Sequence, residues 1–203
     1  MAKDAATQAK ADKNDLITAM VVGALVIGVL VYDGVRRIAD LFAAPGLVTV
    51  TSPVPTQSIT AEIGSGVAAS IDRATLVAAD VNIISVVSLV LSIVFPTLAL
   101  IAVAALGVVL CRRLLDGVVF DRVNARLTFV MSMGLLAAGL ARPWFENMGL
   151  NGVFAALGGD FADGRWLLMR DGIPLFVAAI AVGVLVIVFR RGARLQKDAE
   201  GLV

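Results

Sequence analysis

LCRRLLDGVVFDRVNARL, residues 110–127, is a short polar island between two long apolar runs. It holds Arg112, Arg113, Arg122 and Arg126, with Asp116 and Asp121 among them. Apolar runs this long on either side read as membrane spans, and the charges of the island then decide which way the chain faces. Composition agrees. The 203 residues are 59% hydrophobic and 16% charged, whereas soluble domains run near roughly half and a quarter. A mean hydropathy of +0.93 belongs to the membrane class. A soluble all-α domain would use shorter buried helices than these runs provide.

Upstream of the island, Asn82 to Leu110 is an apolar helix of up to 29 residues, long enough to span with tilt. Pro96, near its middle, removes one backbone bond, so a kink is expected there. Asn82, Ser85, Ser88 and Ser92 recur at three- and four-residue spacing and share one helical face. Such a stripe reads either as a polar path for a solute or as interhelical hydrogen bonding, with packing favoured because serines can satisfy themselves against backbone carbonyls. Residues 33–81 form the long polar segment. DGVRRIADLF can continue a preceding helix, and Leu47 to Thr51 alternates in the β manner until Pro53 and Pro55 break it. Gly64 and Gly66 mark a turn, and Ser70 to Val81 reads as helical. The whole segment is a surface loop with a little order or a small external cap with a hairpin. Residues 16–32 are an apolar run of seventeen residues, the first span. A cleaved signal peptide is the rival reading, but the run exceeds the usual apolar region and no convincing cleavage site follows. Residues 1–15 are a charged lead-in, mobile or helical.

Downstream, residues 127–141 form a third span of fifteen residues, closed by Pro143-Trp144-Phe145 at the interface. Residues 142–171 read as a Gly-rich loop, with Val153 to Leu157 lying on the membrane surface. Residues 172–189, GIPLFVAAIAVGVLVIVF, are the fourth span, with Pro174 in its first turn. Residues 190–203 are a basic tail. Small residues stand four apart at Ala19/Gly23, Ala24/Gly28, Gly134/Ala138 and Ala179/Gly183, the spacing that lets helices approach closely. The fold class expected is therefore all-α, an integral-membrane four-helix bundle with a partly ordered extracytoplasmic loop that includes a short β segment.

Eleven of the seventeen Lys and Arg residues lie in 1–15, 111–126 and 190–203, all short segments flanking spans. By the positive-inside rule both termini and the 111–126 loop are cytoplasmic. The location expected is a multi-pass protein of the bacterial cytoplasmic (inner) membrane. One cysteine and no histidine leave no disulfide framework and none of the usual zinc or haem sites, so no cofactor is expected. The near-zero net charge gives no case for direct nucleic-acid binding. No ionisable residue lies inside a span, which argues against proton-coupled transport. Nor does a phosphate loop, carboxylate pair or based nucleophile point to an enzyme. Cys111, beside two arginines, reads as a passive juxtamembrane thiol rather than a reactive or palmitoylated one.

Two cytoplasmic patterns remain. One runs from Asp116 to Leu127, with Gly117 for a turn, Phe120 as an anchor, Asp121 as a cap for the third helix, then Asn124 and Arg126. The other is FRRGARLQKD, residues 189–198, with Arg190, Arg191, Gly192, Arg194 and Gln196, before the closing Leu202-Val203. On these patterns, and on four spans with a long first external loop, the chain resembles the bacterial "domain of unknown function 2975" family, over nearly its whole length. Asp121 departs from the Ser or Thr more usual there. The resemblance implies a small inner-membrane protein with no assigned reaction, of a kind often encoded beside a very small helix-turn-helix regulator. Arg112, Arg113, Arg122, Arg126, Arg190, Arg191 and Arg194 would then form a cytoplasmic face for that partner, or for anionic lipid heads at about 1 kcal/mol each. The expected function is non-enzymatic sensing or binding that controls such a regulator. An accessory subunit of a larger membrane complex and a small-solute transporter are the alternatives. The lipid bilayer and a second copy of the chain are the other expected partners.

Overall fold

The computed structural model describes residues 2–61, 67–159, 161 and 165–200. Four helices and a two-stranded antiparallel sheet make up these residues: α1 Ala2–Leu41, β1 Leu47–Ala61, β2 Val67–Ala79, α2 Ile83–Leu115, α3 Arg122–Ala156 and α4 Arg165–Glu200. All four helices are long and apolar enough to cross a bilayer. The protein is an all-α membrane bundle carrying one small hairpin. The chain divides into two compact units. Unit 1 is Met1–Asp33, Thr97–Ala138 and Pro174–Val203, and unit 2 is Gly34–Pro96 and Gly139–Ile173.

In unit 1 the four helices pack through small and hydroxyl-bearing residues. A side chain at Gly23 of α1 would meet Val108 of α2, and one at Gly134 of α3 would meet Val103 of α2, each at 2.8 Å. Ser132 of α3 donates to the carbonyl of Ala179 on α4 at 2.8 Å, across a seam where Ala138 and Ala179 are buried. Large apolar side chains point the other way. Leu25, Val29, Val177 and Ile180 are each more than half exposed in the isolated chain. Water would penalise that surface, whereas lipid is as apolar as the side chains and removes the penalty. Gly23, Gly134 and Gly183 meet neighbouring helices in this way, whereas Ala19 is exposed and Gly28 faces open space.

Unit 2 has a conventional apolar core. Leu41, Val48, Ala78, Leu89 and Val153 are buried together, and a second cluster gathers Leu150, Phe161 and Leu168. Four corrections to the sequence reading arise here. Pro53 and Pro55 do not end β1, because the ladder absorbs them in an irregularity between Pro53 and Gln57 and resumes at Gln57↔Ile71. Ser70 to Ala79 of the stretch expected to be helical is strand instead, since pairing with β1 and burial of Ala78 override its alanine content. The third helix does not stop at residue 141. Pro143 stays within α3, and Arg142 pairs with Glu146 one turn on at 3.4 Å, which carries charge along the helix beyond the apolar run. Val153 to Ala156 therefore forms the last turn of α3, with Val153 fully buried, and the loop expected over 142–171 is helical up to Ala156 and again from Arg165. The turn expected at Gly64 and Gly66 and the closing Leu202-Val203 lie outside the described residues.

Candidate functional site

The residues that carry the family-like pattern in unit 1 form two distinct arrangements. The first locks the turn between α2 and α3. Gly117 sits at φ 80° just past the end of α2, where a side chain would clash with its own backbone. Around it Val118 N–H reaches the Arg113 carbonyl at 3.0 Å and Gly117 N–H the Leu114 carbonyl at 3.1 Å, closing the helix in a Schellman turn. Arg113 then crosses to the start of α3. Its Nε donates to Asn124 Oδ1 at 2.7 Å and its Nη2 to Asp121 Oδ2 at 2.6 Å. Asn124 is fully buried and returns two hydrogen bonds from Nδ2, to the carbonyls of Val118 at 2.7 Å and Val119 at 3.0 Å. Asp121 does hold the cap position, since its carbonyl accepts from Ala125 N–H, but its carboxylate is committed to Arg113. Phe120 stacks on Phe189 with ring centroids 6.5 Å apart and lies over Gly192, where any side chain would strike its ring. Arg113, Gly117, Phe120, Asp121, Asn124 and Gly192 are thus occupied in holding the turn.

The second arrangement is a cleft of about 510 Å³ lined by α3 and α4. Arg122 and Arg126 come from α3, and Arg190, Arg194 and Lys197 from α4, over a floor of Ala125 and Ala193 with Phe129 beside it. Positions one turn apart share a helical face, which is why each helix delivers its cations together. Asp121 is the one acid in the lining, and it is spoken for. Among the described residues no ion pair engages these five cations. Arg112, Arg191 and Gln196 are exposed outside the cleft, and Cys111 is a half-buried free thiol.

In unit 2 the polar stripe of α2 is a packing seam. Asn82 caps the helix, its Oδ1 accepting from Ser85 N–H at 2.9 Å. Ser88 donates to the Ile84 carbonyl and Ser92 to the Leu89 carbonyl. Ser85 is buried against Gly152, where an added Cβ would collide with it, and an added Cβ at Gly149 would likewise strike Leu89. The Ser88 and Ser92 hydroxyls satisfy themselves locally, and the stripe leaves room for two glycines of α3. These hydrogen bonds run within α2, and the stripe packs against α3 through the small size of its residues.

Unit 2 also holds a cleft that local sequence patterns did not reveal. It encloses about 560 Å³, within the range of roughly 300–1,000 Å³ of small-molecule sites. Leu41, Val50, Leu89 and Ile93 supply its apolar surface, and Thr49, Thr51, Thr75 and Ser92 its hydroxyls. Arg37 and Asp40 enter from α1, Arg73 from β2, and Arg142 and Glu146 from α3. Arg73 is fixed by Asp171 at 2.6 Å, a bond that holds its guanidinium above the ordinary arginine value, and Arg142 is fixed by Glu146. No local motif could announce this site, because its lining comes from five elements, α1, β1, β2, α2 and α3, spread over about half the chain. Among the described residues no group of His, Cys, Asp and Glu is placed to hold a metal ion. Compared with models of known families, with curated proteins and with solved structures, the chain finds no match.

Proposed function

We propose that this protein is a non-enzymatic, four-span sensor or binding protein of the bacterial inner membrane that takes a small dipolar solute in the cleft of unit 2. In this reading both termini and the 110–127 turn are cytoplasmic, and solute binding controls a small cytoplasmic helix-turn-helix regulator, as the family resemblance implies. The cleft of unit 2 is the observation that carries the reading. It sets guanidinium and carboxylate groups, Arg37, Arg73 and Arg142 with Asp40 and Glu146, beside an apolar wall. A solute with both charges and an apolar body, such as an apolar α-amino acid, meets each of these surfaces. Arg73 is held by Asp171 and Arg142 by Glu146, which fixes these charges in place for recognition. Orientation rests on the eleven cations in the segments assigned to the cytoplasm.

The test is thermal unfolding of the detergent-purified protein with added L-leucine. A ligand present at about a hundred times its Kd stabilises the folded state by about 2.7 kcal/mol. The midpoint should rise with leucine in the wild type and stay flat in the Arg142→Gln/Glu146→Gln variant. A flat response in the wild type up to saturated leucine would remove this solute class. Copurification from native membranes tests the output. A small helix-turn-helix protein is the expected companion, whereas a large complex at fixed ratio would favour the accessory-subunit reading.

A further inference from the structure

We infer that the basic cleft of unit 1 is a binding site for the phosphate of an anionic phospholipid headgroup. Three observations converge on it. Charge comes first: five cations line one concavity, and its single acid is neutralised by Arg113. A cluster of one sign in a concavity attracts an anion from outside the chain. Depth is the second. Arg126 precedes Leu127, where the α3 apolar run begins, and Arg190 follows Phe189, where the α4 run ends. Arg122 and Arg194 stand one helical turn further out, about 6 Å at 1.5 Å per residue, and Lys197 about 10 Å. The headgroup layer on each side of a bilayer is about 5–7 Å thick. Four of the five cations therefore lie at phosphate depth, too close to the hydrocarbon for a folded protein to reach without displacing lipid. The lining is the third. Ala125 and Ala193 leave the floor open, and Phe129, 46% exposed, continues the wall on the side of the apolar run, where an acyl chain would lie.

Each helix brings its own arginine pair, Arg122 with Arg126 and Arg190 with Arg194. A guanidinium forks onto phosphate oxygens through paired N–H groups, so two pairs can hold two phosphates. A lipid with two phosphates should bind more tightly than one with a single phosphate. Phosphatidylcholine, whose phosphate is cancelled by choline, should bind least.

The experiment is lipid titration of the delipidated, full-length protein in neutral detergent, read by native mass spectrometry. The probes are diphosphatidylglycerol, phosphatidylglycerol and phosphatidylcholine, with inorganic phosphate and pyrophosphate as soluble competitors. Wild type should prefer the anionic lipids. Arg126→Gln/Arg190→Gln should lower their affinity by about tenfold or more. Arg126→Lys/Arg190→Lys should recover part of the loss. Arg112→Gln/Arg191→Gln, which removes equal charge outside the cleft, should lower it clearly less than the cleft pair does. Unchanged thermal midpoints of the variants will show that folding is intact. Equal losses in the two Gln pairs would overturn the site in favour of diffuse attraction. Displacement of the lipid by millimolar pyrophosphate would reassign it to a soluble phosphate compound. An acidic protein that leaves with Arg126→Gln/Arg190→Gln, while lipid retention is unchanged, would overturn it in favour of a protein partner.

Discussion

Replacing Asn124 by alanine removes the centre of the turn between α2 and α3. The side chain is fully buried and makes three hydrogen bonds, one from the charged Arg113 and two to the carbonyls of Val118 and Val119. A hydrogen bond to a charged group contributes about 1.5–3 kcal/mol and a neutral one about 0.5–1.5 kcal/mol. Val118 and Val119 are exposed, so water can replace part of what their carbonyls lose. The net cost of Asn124→Ala is then about 2–4 kcal/mol. Asn124→Asp should cost at least as much, because it keeps the acceptor for Arg113 but sets a second oxygen against the two carbonyls. Equilibrium unfolding in mixed micelles measures the loss. Tryptic cutting after Arg112 and Arg122 in the folded state should rise with it. The Arg113–Asp121 pair is about one-third exposed, so a double-mutant cycle with Arg113→Gln and Asp121→Asn should give a coupling of only about 1 kcal/mol. A change below about 0.5 kcal/mol in Asn124→Ala, with tryptic cutting unaltered, would refute the latch.

Gly152→Ala puts a methyl group into Ser85, and overpacking of this kind costs about 1–3 kcal/mol. Pairing it with Ser85→Gly should recover most of the loss, as a thermal unfolding series would show. Asp171→Asn releases Arg73, and the exposed pair is worth about 1 kcal/mol or less. Amide exchange should quicken in β2 around Arg73 while α2 in unit 1 stays protected.

The membrane class and the four helices were legible because apolar runs announce themselves without any knowledge of their neighbours. The helix lengths were less so. α3 passes through Arg142, Pro143 and Glu146, which end the apolar pattern but not the helix, since an ion pair one turn apart and an exposed Trp144 fit a helix surface. β2 looked helical because Ala-rich stretches tolerate either state and only pairing with β1 decides. Arg122, Arg126, Arg190 and Arg194 of the basic cleft could be named in advance by their places at the span ends, whereas Lys197, a further turn out, was not. Their separation from Arg113, Asp121 and Asn124 could not, because nothing local says that residues 11 apart will bond. Likewise Gly192 owes its role to Phe120, far upstream in the chain. The cleft of unit 2 was hidden for the same reason, its charges arriving from separate elements.

The most direct test of the central claim is the sidedness of the spans. In a Cys111→Ser background, single cysteines would be placed by Lys13→Cys, Asp116→Cys and Lys197→Cys, and by Ala79→Cys and Leu157→Cys. Intact bacterial cells would then be treated with a membrane-impermeant maleimide. A four-span chain with cytoplasmic termini predicts immediate labelling at positions 79 and 157, and labelling at 13, 116 and 197 only after the membrane is opened. Labelling of position 116 together with 157 in intact cells would contradict it.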